Sequence, residues 1–199
     1  MIAKGHQRKQ QILETARRHF FRFGYDRASL TDVAAEVGIR PSALYHYFDD
    51  KMSLFTAAFA DVWADQIGDI RARCAGVEDP TERVVCFSNG LIRYVDEVLS
   101  EHNVPVFVYV EALTRLRHVF SELDQQKRAY VAEQLSAILT RTDSVRAADE
   151  LVDARNALEH ELLREWEQTQ ADFGELVRRT ERLVRVYIAG LRCMDEHNR

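Results

Sequence analysis

The stretch from Ser29 to Lys51, SLTDVAAEVGIRPSALYHYFDDK, holds two short helical patterns separated by a tight break, and it constrains the fold more than any other part of the chain. Leu30, Val33, Ala34 and Val37 recur at three- and four-residue steps, which sets them on one face of a helix. Ser29 precedes this run and Asp32 follows three residues later, a capping arrangement that starts the helix. Gly38 stops it, because a residue without a Cβ turns into the left-handed region at no steric cost. Pro41 then suits the first turn of a second helix, predicted over Ser42 to Phe48. Alanines at 34, 35 and 43 let the two helices approach closely. Helix, glycine turn and helix together make a helix-turn-helix pattern.

On the second helix Leu44 and Phe48, four residues apart, form the inward face. Ser42, Ala43, Tyr45, His46 and Tyr47 are spread over the remaining faces. Tyrosine hydroxyls, an imidazole and the Lys51 ammonium suit phosphate oxygens, while Ser42 and Ala43 are small enough to meet base edges and thymine methyls.

The run from Gly24 to Phe55, GYDRASLTDVAAEVGIRPSALYHYFDDKMSLF, resembles the DNA-binding domain of the TetR family of bacterial transcriptional regulators. Its most specific part is Leu44-Tyr45-His46-Tyr47-Phe48 followed by Lys51, similar to the family's recognition helix and the lysine opening the next one. The resemblance implies that Thr31, Lys51, Tyr45 and Tyr47 contact phosphates. It likewise sets Arg40, Pro41, Ser42, Ala43 and His46 against the major groove. Two positions depart from the pattern: Arg40 stands where the family often has a serine cap, and Arg27-Ala28 replaces a common Ala-Thr pair.

Charge is divided in a way that supports this. Residues 1–51 carry nine Lys/Arg against six Asp/Glu, whereas the rest carries 18 against 26. A basic end on an acidic body is what a localised phosphate contact requires. Arg8, Lys9, Arg17 and Arg18 of the first helix, expected over about 7–23 with Gly24 as its stop, could reach the backbone of a docked duplex, although most basic residues on a surface helix are only solvated.

Only three prolines and eight glycines interrupt 199 residues, so an all-α fold of about nine helices is expected. The expected division is a helix-turn-helix domain over 1–50 and a helical regulatory domain over 51–199. A fourth helix is predicted from 51 to about 74, a fifth from the Asp79-Pro80-Thr81-Glu82 cap to about Ser100. Val104 to Val110 (VPVFVYV) has strand-like composition, but with no partner strand it is read as helix. A seventh helix is predicted from Ser121 to about Arg141, an eighth over about 144–170, and a ninth after an Asp172 cap.

No stretch approaches ~20 uncharged apolar residues, and the basic start leads into an amphipathic pattern and not a signal peptide. Cytoplasmic location and no membrane partner are expected. Cys74, Cys86 and Cys193 lack any CxxC spacing and are read as reduced thiols. No histidine has a glutamate three positions before it, and no HExxH, GxSxG or phosphate loop is present. No metal, no cofactor and no enzymatic activity are therefore expected.

The resemblance further implies a homodimeric repressor on a palindromic operator in double-stranded DNA. A small-molecule effector in the C-terminal body would release it by tilting the fourth helix. Trp63, Phe87, Tyr94, Phe107, Tyr109 and Trp166 are the candidate effector-lining residues. Dimerisation is expected through the last two helices, with Leu158, Leu162, Leu183, Tyr187 and Leu191 in the interface and the small pair Ala189-Gly190 beside Tyr187. The alternative is an architectural or partner-controlled DNA-binding protein that senses nothing small.

Overall fold

Residues 2–63, 66–140, 142–169 and 173–197 are described by a computed structural model, and among them the chain forms ten α-helices and no strands. They are α1 (Ile2–Arg27), α2 (Leu30–Val37), α3 (Pro41–Leu44), α4 (Lys51–Trp63), α5 (Gln66–Cys74), α6 (Pro80–Glu101), α7 (Val106–Arg115), α8 (Arg117–Ser136), α9 (Ser144–Thr169) and α10 (Phe173–His197). They divide into two compact units: Met1–Ala64 with Val98–Val119, and Asp65–Glu97 with Phe120–Arg199.

In the first unit α1 packs against α2, α4 and α7. Its apolar stripe, Ile12, Ala16 and Phe20, is fully buried, and Phe21 lies beside it. Phe20 meets Phe55 edge-on with centroids 4.9 Å apart, and Phe59 closes on both Phe55 (4.6 Å) and Phe21 (5.0 Å). Such offset and edge-on pairs add to the burial of the rings themselves. The helix breaks at Gly24 (φ 76°, ψ 175°), as the glycine stop anticipates, and helical geometry resumes to Arg27.

Val104 to Val110 is helical from Val106, with Pro105 as the extended residue before it. Burial of Val108, Tyr109 and Ala112 along one face explains why its β-branched residues do not make a strand. The helix predicted over 51–74 is present as α4 and α5, with residues 64 and 65 outside the described set. Ser121 lies inside α8, which begins earlier than the sequence suggests, and the Asp172 cap lies outside the described residues.

In the second unit Phe87 of α6 stacks at a tilt on Tyr130 of α8 (4.4 Å), and Ile92 of α6 meets Leu176 of α10 with Leu158, Phe173 and Val177 around them. The Asp195 carboxylate near the end of α10 accepts four hydrogen bonds, from the backbone N–H and the hydroxyl of both Thr140 and Thr142, at 2.7–3.0 Å. Cys74 and Cys86 are not the free thiols expected from their spacing. They form a disulfide with Cα atoms 6.0 Å apart, because the turn after α5 folds its last residue back against the second turn of α6. Cys193 is free and exposed.

Candidate nucleic-acid interface

The Ser29 hydroxyl accepts the Asp32 N–H at 3.2 Å, which fixes the start of α2 and sets Thr31, exposed, in its first turn. At the other end Gly38 adopts φ 76°, ψ 36°, and Ile39 N–H reaches back to Ala34 O at 2.9 Å. That closure satisfies carbonyls the helix end would otherwise leave open. Arg40 is extended (φ −72°, ψ 144°), as a residue before proline must be, and its side chain caps nothing. The exposed guanidinium is thus directed away from the role the family's serine has.

α3 is shorter than the predicted Ser42–Phe48. Regular helix ends at Leu44, and the chain continues to Phe48 through tighter turns, with Tyr47 N–H and Phe48 N–H both donating to Leu44 O at 2.9 and 3.0 Å. Leu44 and Phe48 are buried, and between these two anchors the intervening side chains are turned outward. Pro41, Ser42, Tyr45 and His46 are exposed, Tyr45 with 57 % of its surface open, and Ala43 and Tyr47 are half-buried. Asp50 and Ser53 cap each other at the start of α4, Ser53 N–H donating to Asp50 Oδ1 at 2.6 Å. This cap fixes Lys51 in the first turn.

Lys51 is the least free of the predicted contacts. Its Nζ donates to the Asp26 carbonyl at 3.3 Å and lies 4.8 Å from the Tyr25 ring centroid. Partial burial lowers its pKa, with the charge of Arg115 acting the same way and those of Asp26 and Glu111 opposing it. Sequence reasoning did not reach this setting. Glu111 and Arg115 are legible as an i,i+4 ion pair on α7, but their contact with residues 24–26 has no signal in the sequence.

The basic residues of α1 turn out to be engaged within the unit. Arg8 donates to Val37 O at 3.1 Å, Lys9 sits over the Phe48 ring at 5.4 Å, and Arg17 donates to Ala58 O at 3.3 Å. Arg18 pairs with Glu36 at 2.7 Å, and His19 Nε2 meets the other oxygen of that carboxylate at 2.8 Å. These bonds, from His19 first and Arg18 second, hold the Glu36 pKa below its ordinary value. The α1 cations thus brace the helix-turn-helix, while Lys9 and Arg18 remain exposed.

The described candidate effector residues fall in both units. Phe87 (buried) and Tyr94 (half-buried) belong to the second unit, whereas Tyr109 (buried) and Phe107 (exposed, beside Gly24) belong to the first. The side chains of Trp63 and Trp166 lie outside the described residues, as does that of Leu162 among the dimer candidates. Leu191 is 4 % exposed within its own chain, whereas Leu158, which packs on the Ile92–Leu176 cluster, and Leu183 and Tyr187 are half-buried. Among the described residues no group of three or more His, Cys, Asp or Glu is placed to hold a metal ion. None of the described helices is long and apolar enough to cross a membrane.

A short buried-anchor helix, a glycine turn and an outward row of hydroxyl, imidazole and cationic groups define a helix-turn-helix protein of the DNA-binding type. Residues 12–58 match the profile of bacterial regulatory proteins of the tetR family. The HTH-type transcriptional repressor Rv1474c of Mycobacterium tuberculosis is 42% identical over 50 residues, which cover 25% of this chain and 27% of that protein. The matched stretch thus spans about a quarter of that relative's length.

Two solved structures share the fold across nearly the whole chain. A transcriptional regulator from Cytophaga hutchinsonii aligns with TM-score 0.68 and 17% identity, covering 92% of this chain and 97% of that one. The regulator FadR of Bacillus subtilis in complex with stearoyl-CoA aligns with TM-score 0.65 and 14% identity, covering 91% and 98%. Residues 12–58 thus carry the N-terminal domain of the tetR family of bacterial regulatory proteins.

Proposed function

We propose that this protein is a homodimeric transcriptional repressor that binds a palindromic operator and is released by a small-molecule effector. The observation that carries the reading is the surface from Thr31 through Arg40–Tyr47 to Lys51. Its polar and cationic groups face outward while Leu44 and Phe48 anchor the same segment from behind. In this reading Thr31, Tyr45, Tyr47 and Lys51 bind phosphates and fix the register. Arg40, Pro41, Ser42, Ala43 and His46 meet base edges. The reading carries with it a cytoplasmic location and no catalytic role.

A single short helix reads too few base pairs for useful selectivity, so two copies on two half-sites about one helical turn apart are required. The effector is the finer part of the reading. Its support is that a neighbour of the same fold was solved with stearoyl-CoA bound. Buried aromatic side chains such as Phe87 are also available within the second unit. An effector that favours the DNA-incompetent state by ~1–3 kcal/mol lowers operator affinity about 5- to 150-fold.

The test is selection of binding sites from random double-stranded DNA, followed by gel shifts at several salt concentrations. A palindrome with half-sites about one helical turn apart is expected. Sequence-independent binding would instead place the protein among architectural factors, and no binding by effector-free protein would remove the DNA reading altogether.

A further inference from the structure

We infer that Glu111 and Arg115 of α7 are positioning residues for DNA docking: they clamp the Gly24–Asp26 corner and, through it, hold Lys51 where it meets a phosphate. This rests on the DNA-binding reading above and adds to it two residues far from the helix-turn-helix in sequence.

Three consecutive corner residues are each engaged. At Gly24 the backbone passes so close to α7 that a Cβ there would stand 2.6 Å from Glu111 Oε2. At Tyr25 the backbone N–H donates to that same oxygen at 2.9 Å. At Asp26 both carboxylate oxygens accept from Arg115 Nη2 at 2.8 Å. Glu111 and Arg115 lock each other, Arg115 Nε donating to Glu111 Oε1 at 3.0 Å. Both oxygens of Glu111 are therefore used, one on the corner and one on its partner.

Lys51 closes the arrangement from the other side. Its Nζ donates to the Asp26 carbonyl and lies over the Tyr25 ring, and the Arg115 guanidinium is 4.5 Å from the centroid of that ring. The corner thus has two cations on one aromatic ring and one acidic residue between them. The Arg115 side chain takes up the Asp26 carboxylate and leaves only the backbone carbonyl to Lys51. A neutral carbonyl restrains an ammonium while competing weakly with a phosphate, whereas a free carboxylate at the same place would compete strongly. Glu111 and Arg115 therefore keep Lys51 placed yet available. Removing Arg115 frees Asp26 to pair with Lys51 and withdraws it from DNA.

A purely structural role for α7 predicts a loss of affinity indifferent to Lys51, and a double-mutant cycle separates the two. The operator from the selection above is titrated with wild type, Arg115→Ala, Lys51→Ala and the double variant at several salt concentrations. Circular dichroism melts are run alongside. Arg115→Ala is expected to weaken binding on the order of tenfold in the wild-type background and to change it little in the Lys51→Ala background. Both single variants should also lose about one phosphate's worth of salt slope, ~0.9 in log–log terms.

Equal losses in both backgrounds, or an unchanged salt slope with Arg115→Ala, would overturn the inference while leaving the DNA reading intact. Should Arg115→Ala prove unfolded, Asp26→Asn serves in its place. Without a carboxylate to free, Arg115→Gln in the Asp26→Asn background should cost little, and a full loss there overturns the clamp. Failure of the wild type itself to bind would remove the DNA reading and the inference with it.

Discussion

Two glycines with the same φ of 76° do different work, and the difference can be measured at single-residue resolution. Gly38 has ψ 36°, the ordinary left-handed cap, and a Cβ added there would meet nothing within 4 Å. Gly38→Ala should cost the left-handed penalty alone, about 1–2 kcal/mol. Gly24 has ψ 175°, a backbone that essentially only glycine adopts, and its Cβ would press on the Glu111 carboxylate. Gly24→Ala should cost more, roughly 2–3 kcal/mol, and should lower DNA affinity beyond what its stability loss explains. Urea unfolding of the two variants checks the order; equal losses would mean Glu111 yields freely and does not hold the corner. Both glycines were legible as stops because each ends a periodic apolar run. The contact between Gly24 and Glu111 was not, since it joins residues 87 apart through tertiary packing that no local pattern encodes.

Among elements, local capping signals were the readable part and cross-helix polar contacts were the hidden part. Ser29 with Asp32, Pro41 and the Asp79–Glu82 start all behave as the sequence chemistry dictates, Glu82 N–H donating to Asp79 Oδ1 at 3.0 Å. The intramolecular partners of the α1 cations were hidden, because composition gives a cation's position along a helix but not the carbonyl or ring waiting on the next one. Tyr187 of α10 is a further case. Its hydroxyl donates to Glu150 Oε2 of α9 at 2.8 Å, and burial first, then this bond, push its pKa up from 10.0 to about 12.

The folded chain therefore keeps a proton on Tyr187 that the unfolded chain surrenders between pH 10 and 12. Over that window the native state binds more protons than the unfolded one, so this stabilisation is whole below pH 10 and fades as pH climbs. The same bond holds the Glu150 pKa below its ordinary 4.5, so that its share is present above that value and lost on acidification. Tyr187→Phe should be less stable than wild type at pH 8, and the gap should narrow by pH 11. Chemical denaturation at the two pH values checks this, and a constant gap would show that the hydroxyl keeps no proton preference in the fold.

At the scale of the whole molecule the question is what the open side of α10 meets. Val186 is 67 % and Met194 55 % exposed, and Leu183 and Tyr187 are half-buried, so an apolar strip runs along a helix whose other face, Leu176, Val184, Ile188 and Leu191, already fills its own core. Exposed Ala189 and Gly190 keep the middle of that strip low enough for another helix to come close. In the proposed homodimer, two-fold pairing of identical strips would cover it and would present two recognition segments to two half-sites. Leu183→Glu and Val186→Asp put like charges opposite each other across such an axis. Each should shift the sedimentation coefficient from dimer to monomer at micromolar concentration. Affinity for the full palindrome should then collapse to that for an isolated half-site, while half-site binding itself stays as in wild type. A variant that still sediments as a dimer, or a wild type that is monomeric while binding the palindrome cooperatively, would require the pairing surface to lie elsewhere than on α10.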